Sequence, residues 1–110
     1  MAYDEGVAER IREQLAEQPF VVEKKMFGGI AFMLHGNMCC GVVGEELMAR
    51  VGPSAYADAL SAPHAREMDF TGKPLTGFVY VAPEGFESDE DLQAWVQRGI
   101  TFALSLPAKD

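Results

Sequence analysis

The sequence has no apolar run near the roughly 20 residues that cross a bilayer, so no membrane span is expected. It is poor in positive charge. Nine lysines and arginines stand against 17 acids, a formal net charge of −8. Binding to nucleic acid needs cations that displace counterions from phosphates, so this balance disfavours direct contact with DNA or RNA. For such contact Lys24, Lys25, Arg50, Arg66 and Lys73 would have to cluster against the global charge. Cysteine is scarce too: Cys39 and Cys40 are the only two, and they are adjacent. Neighbouring side chains of a regular strand point to opposite faces, so a disulfide between them is not expected. Reduced thiols suit a cytoplasmic setting. A structural zinc site would have to draw on Cys39, Cys40, His35 and His64, with the two thiols pointing apart, so neither a metal nor a cofactor is expected. The acidic start, Tyr3-Asp4-Glu5-Gly6, soon becomes amphipathic and does not read as a signal peptide. The chain also lacks a phosphate-binding glycine loop. Met26-Phe27-Gly28-Gly29 has no lysine–serine pair and leads into strand residues, so it reads as a bend or bulge.

What remains is an ordinary globular composition. With 110 residues, 48% apolar and 24% charged, the chain forms one domain, residues 1–110, large enough for its own core. Val7, Ile11 and Leu15 recur at helical spacing and predict a helix over 4–17, with Asp4 as N-cap. Residues 21–51 read as a β-meander. Its strands are 21–26, 30–34, 38–43 and 46–51, with tight turns at Gly36-Asn37 and Gly44-Glu45. A short helix follows Gly52-Pro53-Ser54 and runs to about Ser61. Strands are expected at 66–70 and 77–81, with Thr71-Gly72-Lys73-Pro74 as a loop between them. Ser88 caps a final helix to about Leu106, buried along Leu92, Trp95, Val96, Gly99, Phe102, Ala103 and Leu106. The order is α-ββββ-α-ββ-α: an α+β fold of two layers, an antiparallel β-sheet with flanking helices.

The two turns set an expected register. Met33, Cys40, Val42, Leu47, Ala49 and Val51 then face the helices. Ile30, Phe32, Leu34, Cys39, Val43, Met48 and Arg50 fall on the other face, which is too apolar to sit in water. Two covers fit. One is a second copy of the chain, with Phe32 and Leu34 near the contact; the other is the C-terminal helix or a loop of the same chain. Ile30, Phe32, Leu34, Val43 and Met48 are thus the candidate interaction face, for a protein partner or for a homodimer.

Cys39, Arg50, His64 and Arg66 form the candidate ligand or reactive site. Arg50 beside Cys39 would favour thiolate. His64 and Arg66, with Lys73 and Arg50, could hold an anion. The plainer reading is two small cysteines packed on a strand and a solvated, ion-paired edge strand, and we favour it. No residue is assigned a catalytic role.

Lys24-Lys25-Met26-Phe27-Gly28-Gly29-Ile30-Ala31-Phe32 resembles the N-terminal domain of the TfoX/Sxy family. The likeness continues through Gly36-Asn37-Met38, Leu47-Met48-Ala49-Arg50-Val51, Met68-Asp69-Phe70-Thr71-Gly72-Lys73-Pro74-Leu75 and Gly77-Phe78-Val79-Tyr80-Val81. It implies a secretion-chaperone-like α+β fold and kinship with regulators of natural competence, which act alongside the cyclic-AMP receptor protein. Those regulators typically carry a second, C-terminal domain, and this sequence ends at Asp110. The resemblance brings no catalytic residues. The expectation is a small cytoplasmic, non-enzymatic interaction or regulatory module. The alternative is a small-molecule-binding protein or minor enzyme using Cys39, Arg50, His64 and Arg66.

Overall fold

In the structure, a computed structural model, residues 3–18, 21–26, 28–68 and 76–107 are described. The elements follow the expected order: α1 (Glu5–Gln14), β1 (Val21–Met26), β2 (Gly29–Leu34), β3 (Asn37–Val43), β4 (Glu46–Arg50), α2 (Tyr56–Leu60), β5 (Ala65–Glu67), β6 (Phe78–Val81) and α3 (Asp89–Ser105). A single 3₁₀ turn at Pro83–Gly85 is the one addition. The expected loop at 71–74 and the residues Asp69, Phe70 and Lys73 lie outside the described residues.

Local chemistry accounts for the helix starts. The Asp4 carboxylate accepts hydrogen bonds from the backbone N–H groups of Gly6 (2.8 Å) and Val7 (3.3 Å). The Ser88 hydroxyl accepts one from Asp91 N–H at 3.0 Å. Each cap satisfies donors that the first helical turn leaves open. The α1 helix ends three residues short of expectation. Past Gln14 the chain tightens into bonds such as Gln18 N–H to the Leu15 carbonyl, 3.0 Å, as helix ends commonly do.

All six strands are antiparallel, in the spatial order β1-β2-β3-β4-β6-β5. Met26 pairs with Gly29, so the expected bend is a two-residue hairpin turn, with Gly28 at a φ of 75°. The β3–β4 turn lies at Gly44-Glu45 as expected, pairing Val42 with Leu47 and Cys40 with Ala49.

The β2–β3 hairpin departs from expectation in two ways. Leu34 pairs with Asn37, so the turn is His35-Gly36, not Gly36-Asn37; both residues have positive φ, 51° and 83°. Two positive φ values suit a two-residue hairpin turn, whose twist matches that of the strands. The register then shifts between Phe32 and Met33: Met33 pairs with Met38, but Phe32 pairs with Cys40. Cys39 is the extra residue of a β-bulge, two residues opposing one.

The bulge, and not the displaced turn, moves β2 to the other side of the sheet. Ile30, Phe32 and Leu34 join Cys40, Val42, Leu47, Ala49 and Val51 in the core beneath the helices. Phe32 is 0% exposed. Cys39 joins the same core, so both thiols lie on the helix side, contrary to the alternation rule for regular strands. Met33 moves to the opposite face. The expected interaction face is therefore corrected: Ile30, Phe32 and Leu34 are packed beneath α1 and α3, not presented outward.

The opposite face carries Ala31, Met33, Met38, Met48, Met68 and Tyr80, with Val43 and Phe78 packed against them. Ala31, Met48 and Met68 are fully buried. Of the residues expected on the second face only Val43 and Met48 are in this cluster, which is buried within one chain with Met68 closing in from beyond β5, while Val22 at the β1 edge stays half exposed.

Two contacts tie the layers together. Arg10 of α1 donates to the carbonyls of Phe86 and Glu87, both at 3.0 Å, and pairs with Asp89 at the start of α3. Arg12 binds Glu23 of β1 through two nitrogens, at 2.8 and 3.0 Å, and also Glu9 and Glu5. Its guanidinium holds the Glu23 carboxyl below the ordinary value of 4.5, chiefly through the hydrogen bond. A depressed folded-state pKa contributes stability above the unfolded value and loses it as pH falls through the folded one. Glu23→Gln should therefore flatten the acid side of the stability profile below about pH 4.5, read from urea midpoints across pH. An unchanged profile would contradict that linkage.

The α3 helix crosses β3 at Gly99. A methyl group there would collide with the Cys39 carbonyl oxygen and crowd its sulfur. Overpacking of this kind costs about 1–3 kcal/mol. Gly99→Ala should lower stability by that amount in denaturant unfolding, whereas Ala94→Gly on the exposed side of α3 should cost no more than about 1 kcal/mol.

Candidate functional site

The four residues of the expected reactive site have separate surroundings. Cys39 is fully buried under α3, its sulfur 4.0 Å from the Val96 carbonyl oxygen. Arg50, at the end of β4, lies over the rings of Phe78 (5.3 Å to the centroid) and Phe102 (5.1 Å). His64 has a φ of 69° and lines a cleft of about 390 Å³ with Ala62, Pro63, Glu84, Gly85, Asp91 and Trp95. Arg66 binds Glu46 through two nitrogens and lies over the Tyr80 ring at 4.6 Å. The single pocket expected of them is thus corrected: they are distributed over the underside of α3, the end of β4, a cleft and a sheet edge. Backbone alternation explains the division between Cys39 and Arg50, once the bulge turns Cys39 toward the helices.

Both thiols are fully buried. The Cys40 pKa is raised well above its ordinary value, first by a hydrogen bond with Cys39 and then by complete burial. Thiolate is the reactive form, so both effects oppose nucleophilic chemistry. Among the described residues no group of three or more His, Cys, Asp or Glu side chains is arranged to hold a metal ion. Among the described residues of the expected basic cluster, Lys24 and Lys25 lie on β1 and Arg66 on β5, at opposite edges of the sheet.

Another concavity lies between α2 and α3. It measures about 520 Å³. Val51, Ala55, Ala94 and Phe102 form apolar walls, with the hydroxyls of Ser54, Thr101 and Ser105 and the Asp58–Arg98 ion pair (3.3 Å) around them. One glycine fixes its inner wall: Gly52, at a φ of 90°, lets the Phe102 ring pack against the backbone where any side chain would collide. Sequence patterning missed this groove because α2 and α3 are far apart in the chain. The available signal was Gly52-Pro53, which marks a sharp turn without saying what packs on it.

The family model of the TfoX N-terminal domain matches residues 13–103. That span takes in every strand, α2 and nearly all of α3. The chain belongs to the TfoX N-terminal domain family. No curated protein and no solved structure matches the chain. The matched region contains the bulge, the methionine face and the α2–α3 groove, so these are features of a TfoX N-terminal domain as this sequence builds it. No helix among the described residues is long and apolar enough to cross a membrane.

Burial and the raised Cys40 pKa give a direct expectation. In the folded protein near neutral pH, neither Cys39 nor Cys40 should react with iodoacetamide on a timescale of minutes. Both should react after unfolding in guanidinium. Rapid labelling of the native chain, followed by mass spectrometry, would restore the reactive-thiol reading.

Proposed function

We propose that this TfoX N-terminal domain is a cytoplasmic, non-enzymatic regulatory module that acts by binding a protein partner in the α2–α3 groove. The observation that carries the reading is the division of apolar surface. Apart from Val22 at the β1 edge, the apolar residues on both faces of the sheet are largely buried inside one chain, while the groove is apolar-walled and exposed.

Charge narrows the partner. The chain carries −8, and both long helices are net acidic, with Glu5, Glu9 and Glu13 against Arg10 and Arg12 in α1 and Asp89, Glu90 and Asp91 against Arg98 in α3. A partner that sets an apolar side chain into the groove from a basic surface matches both features. Long-range attraction of this kind speeds association and weakens with salt.

Ala94 tests the reading because it is exposed and lines the groove. Ala94→Arg should fill the groove without disturbing the core. Tagged parent and variant chains, passed over the same cytoplasmic extract, should differ by about tenfold in retention of at least one basic protein. The melting temperature should be unchanged. Identical retention by the two chains would overturn the proposal.

A further inference from the structure

Arg50 differs from every other arginine in the chain. There are five, all among the described residues, and four hold a carboxylate: Arg10 with Asp89, Arg12 with Glu23, Arg66 with Glu46 and Arg98 with Asp58. Arg50 has no carboxylate and no hydrogen-bond acceptor among the described residues. It is half-buried, with only the Phe78 and Phe102 rings recorded as partners. Acids outnumber bases 17 to 9 in this sequence, so shortage of partners does not explain the exception.

The geometry gives the exception a chemical meaning. A cation–π contact takes up none of the five N–H donors of a guanidinium in a hydrogen bond. The two rings hold the Arg50 cation at 5.3 and 5.1 Å from their centroids, and its donors meet no acceptor among the described residues. Burial alone pushes the Arg50 pKa below the ordinary arginine value. An arginine does not relieve that penalty by losing its proton at physiological pH, so it persists until an anion arrives. Phe102 is also a wall of the α2–α3 groove, which places the fork beside an apolar surface.

We infer that Arg50, held by Phe78 and Phe102 at the end of β4, is a binding site for an oxyanion, a carboxylate or phosphate group taken by the guanidinium fork. Bidentate pairing with such groups is the strongest interaction this side chain makes. The site stands apart from the partner reading of the groove, since a small anion alone is enough to test it. His64 and Arg66 lie elsewhere, in the cleft beside Trp95 and on β5 at the sheet edge.

The test is a titration followed by NMR, observing the Arg50 Nε–Hε signal and the amides of Val51 and Phe102. Sodium phosphate and sodium acetate are the probes, each at constant ionic strength against sodium chloride. Saturable shifts at these three residues with either probe are expected, and the stronger probe identifies the preferred head group. Hexanoate should bind more tightly than acetate, because its chain lies against Phe102. Arg50→Met should weaken binding at least about tenfold, the scale of one charge-assisted hydrogen-bonded pair. It should melt no lower than the parent, since it removes an unpaired cation and keeps the apolar stem. Arg50→Lys retains the charge without the fork and should bind more weakly than the parent. No saturable shift in the parent, or equal shifts in the parent and both variants, would overturn the site. Equal affinities for hexanoate and acetate would overturn the contribution of Phe102.

Discussion

One extra residue in β3 decides how the sheet meets its helices. The bulge at Cys39 brings Phe32 opposite Cys40 while Met33 stays opposite Met38. A one-residue slip exchanges the faces of a strand. Here it puts Ile30, Phe32 and Leu34 in register with Cys40, Val42, Leu47 and Ala49, so that one continuous apolar surface lies beneath α1 and α3. The bulge also turns the Cys39 side chain toward α3, and its carbonyl comes so close to the helix that only a residue without a side chain fits above it. Gly99 is that residue. The helix position, and with it the line of Phe102 and the groove, follows from a single irregularity in the ladder.

What could be read from the sequence was whatever rests on neighbouring residues. Asp4 and Ser88 as caps, Gly44-Glu45 as a turn and the order of the elements all follow from short-range chemistry, and the structure has them. The face assignment failed because it missed the one-residue bulge; moving the turn from Gly36-Asn37 to His35-Gly36 shifts each pair by two and by itself leaves every face unchanged. Gly-Asn is a good hairpin signal, but His35 takes the left-handed conformation instead. Asn37 is drawn inward, where its side-chain amide donates to the Pro107 carbonyl at 2.9 Å. That contact spans seventy residues and leaves no local trace. Nor does the bulge have a compositional mark, since Cys39 and Cys40 are equally small and apolar. An apolar second face was expected from Ile30, Phe32 and Leu34, whereas the residues that form it include Met33, Met38 and Met48, whose flexible thioether side chains fill an irregular space between strands well.

The acidic excess has a structural use beyond solubility. Arg12 reaches three glutamates and joins α1 to β1, and Arg10 joins α1 to the start of α3. Exposed pairs of this kind contribute little one by one. They matter here as orientation, holding two helices on one side of a twisted sheet. Against that background an unpaired, half-buried arginine stands out. Composition could not identify it, because the two aromatic rings that hold Arg50 come from β6 and α3, elements distant in the sequence.

The groove has one rigid wall and one weak one. The α3 helix has 17 residues and is locked by Leu92, Val96 and Gly99 against the sheet. The α2 helix has five residues and no side-chain cap, and only Ala59 is fully buried. A helix so short has no stability of its own in water and exists by packing. Its main polar tie to α3 is the exposed Asp58–Arg98 pair. Elements with few buried contacts open at low free-energy cost and are where binding surfaces are commonly drawn. Of the two walls α2 yields at the lower free-energy cost, and α3, packed on the sheet, is the fixed one.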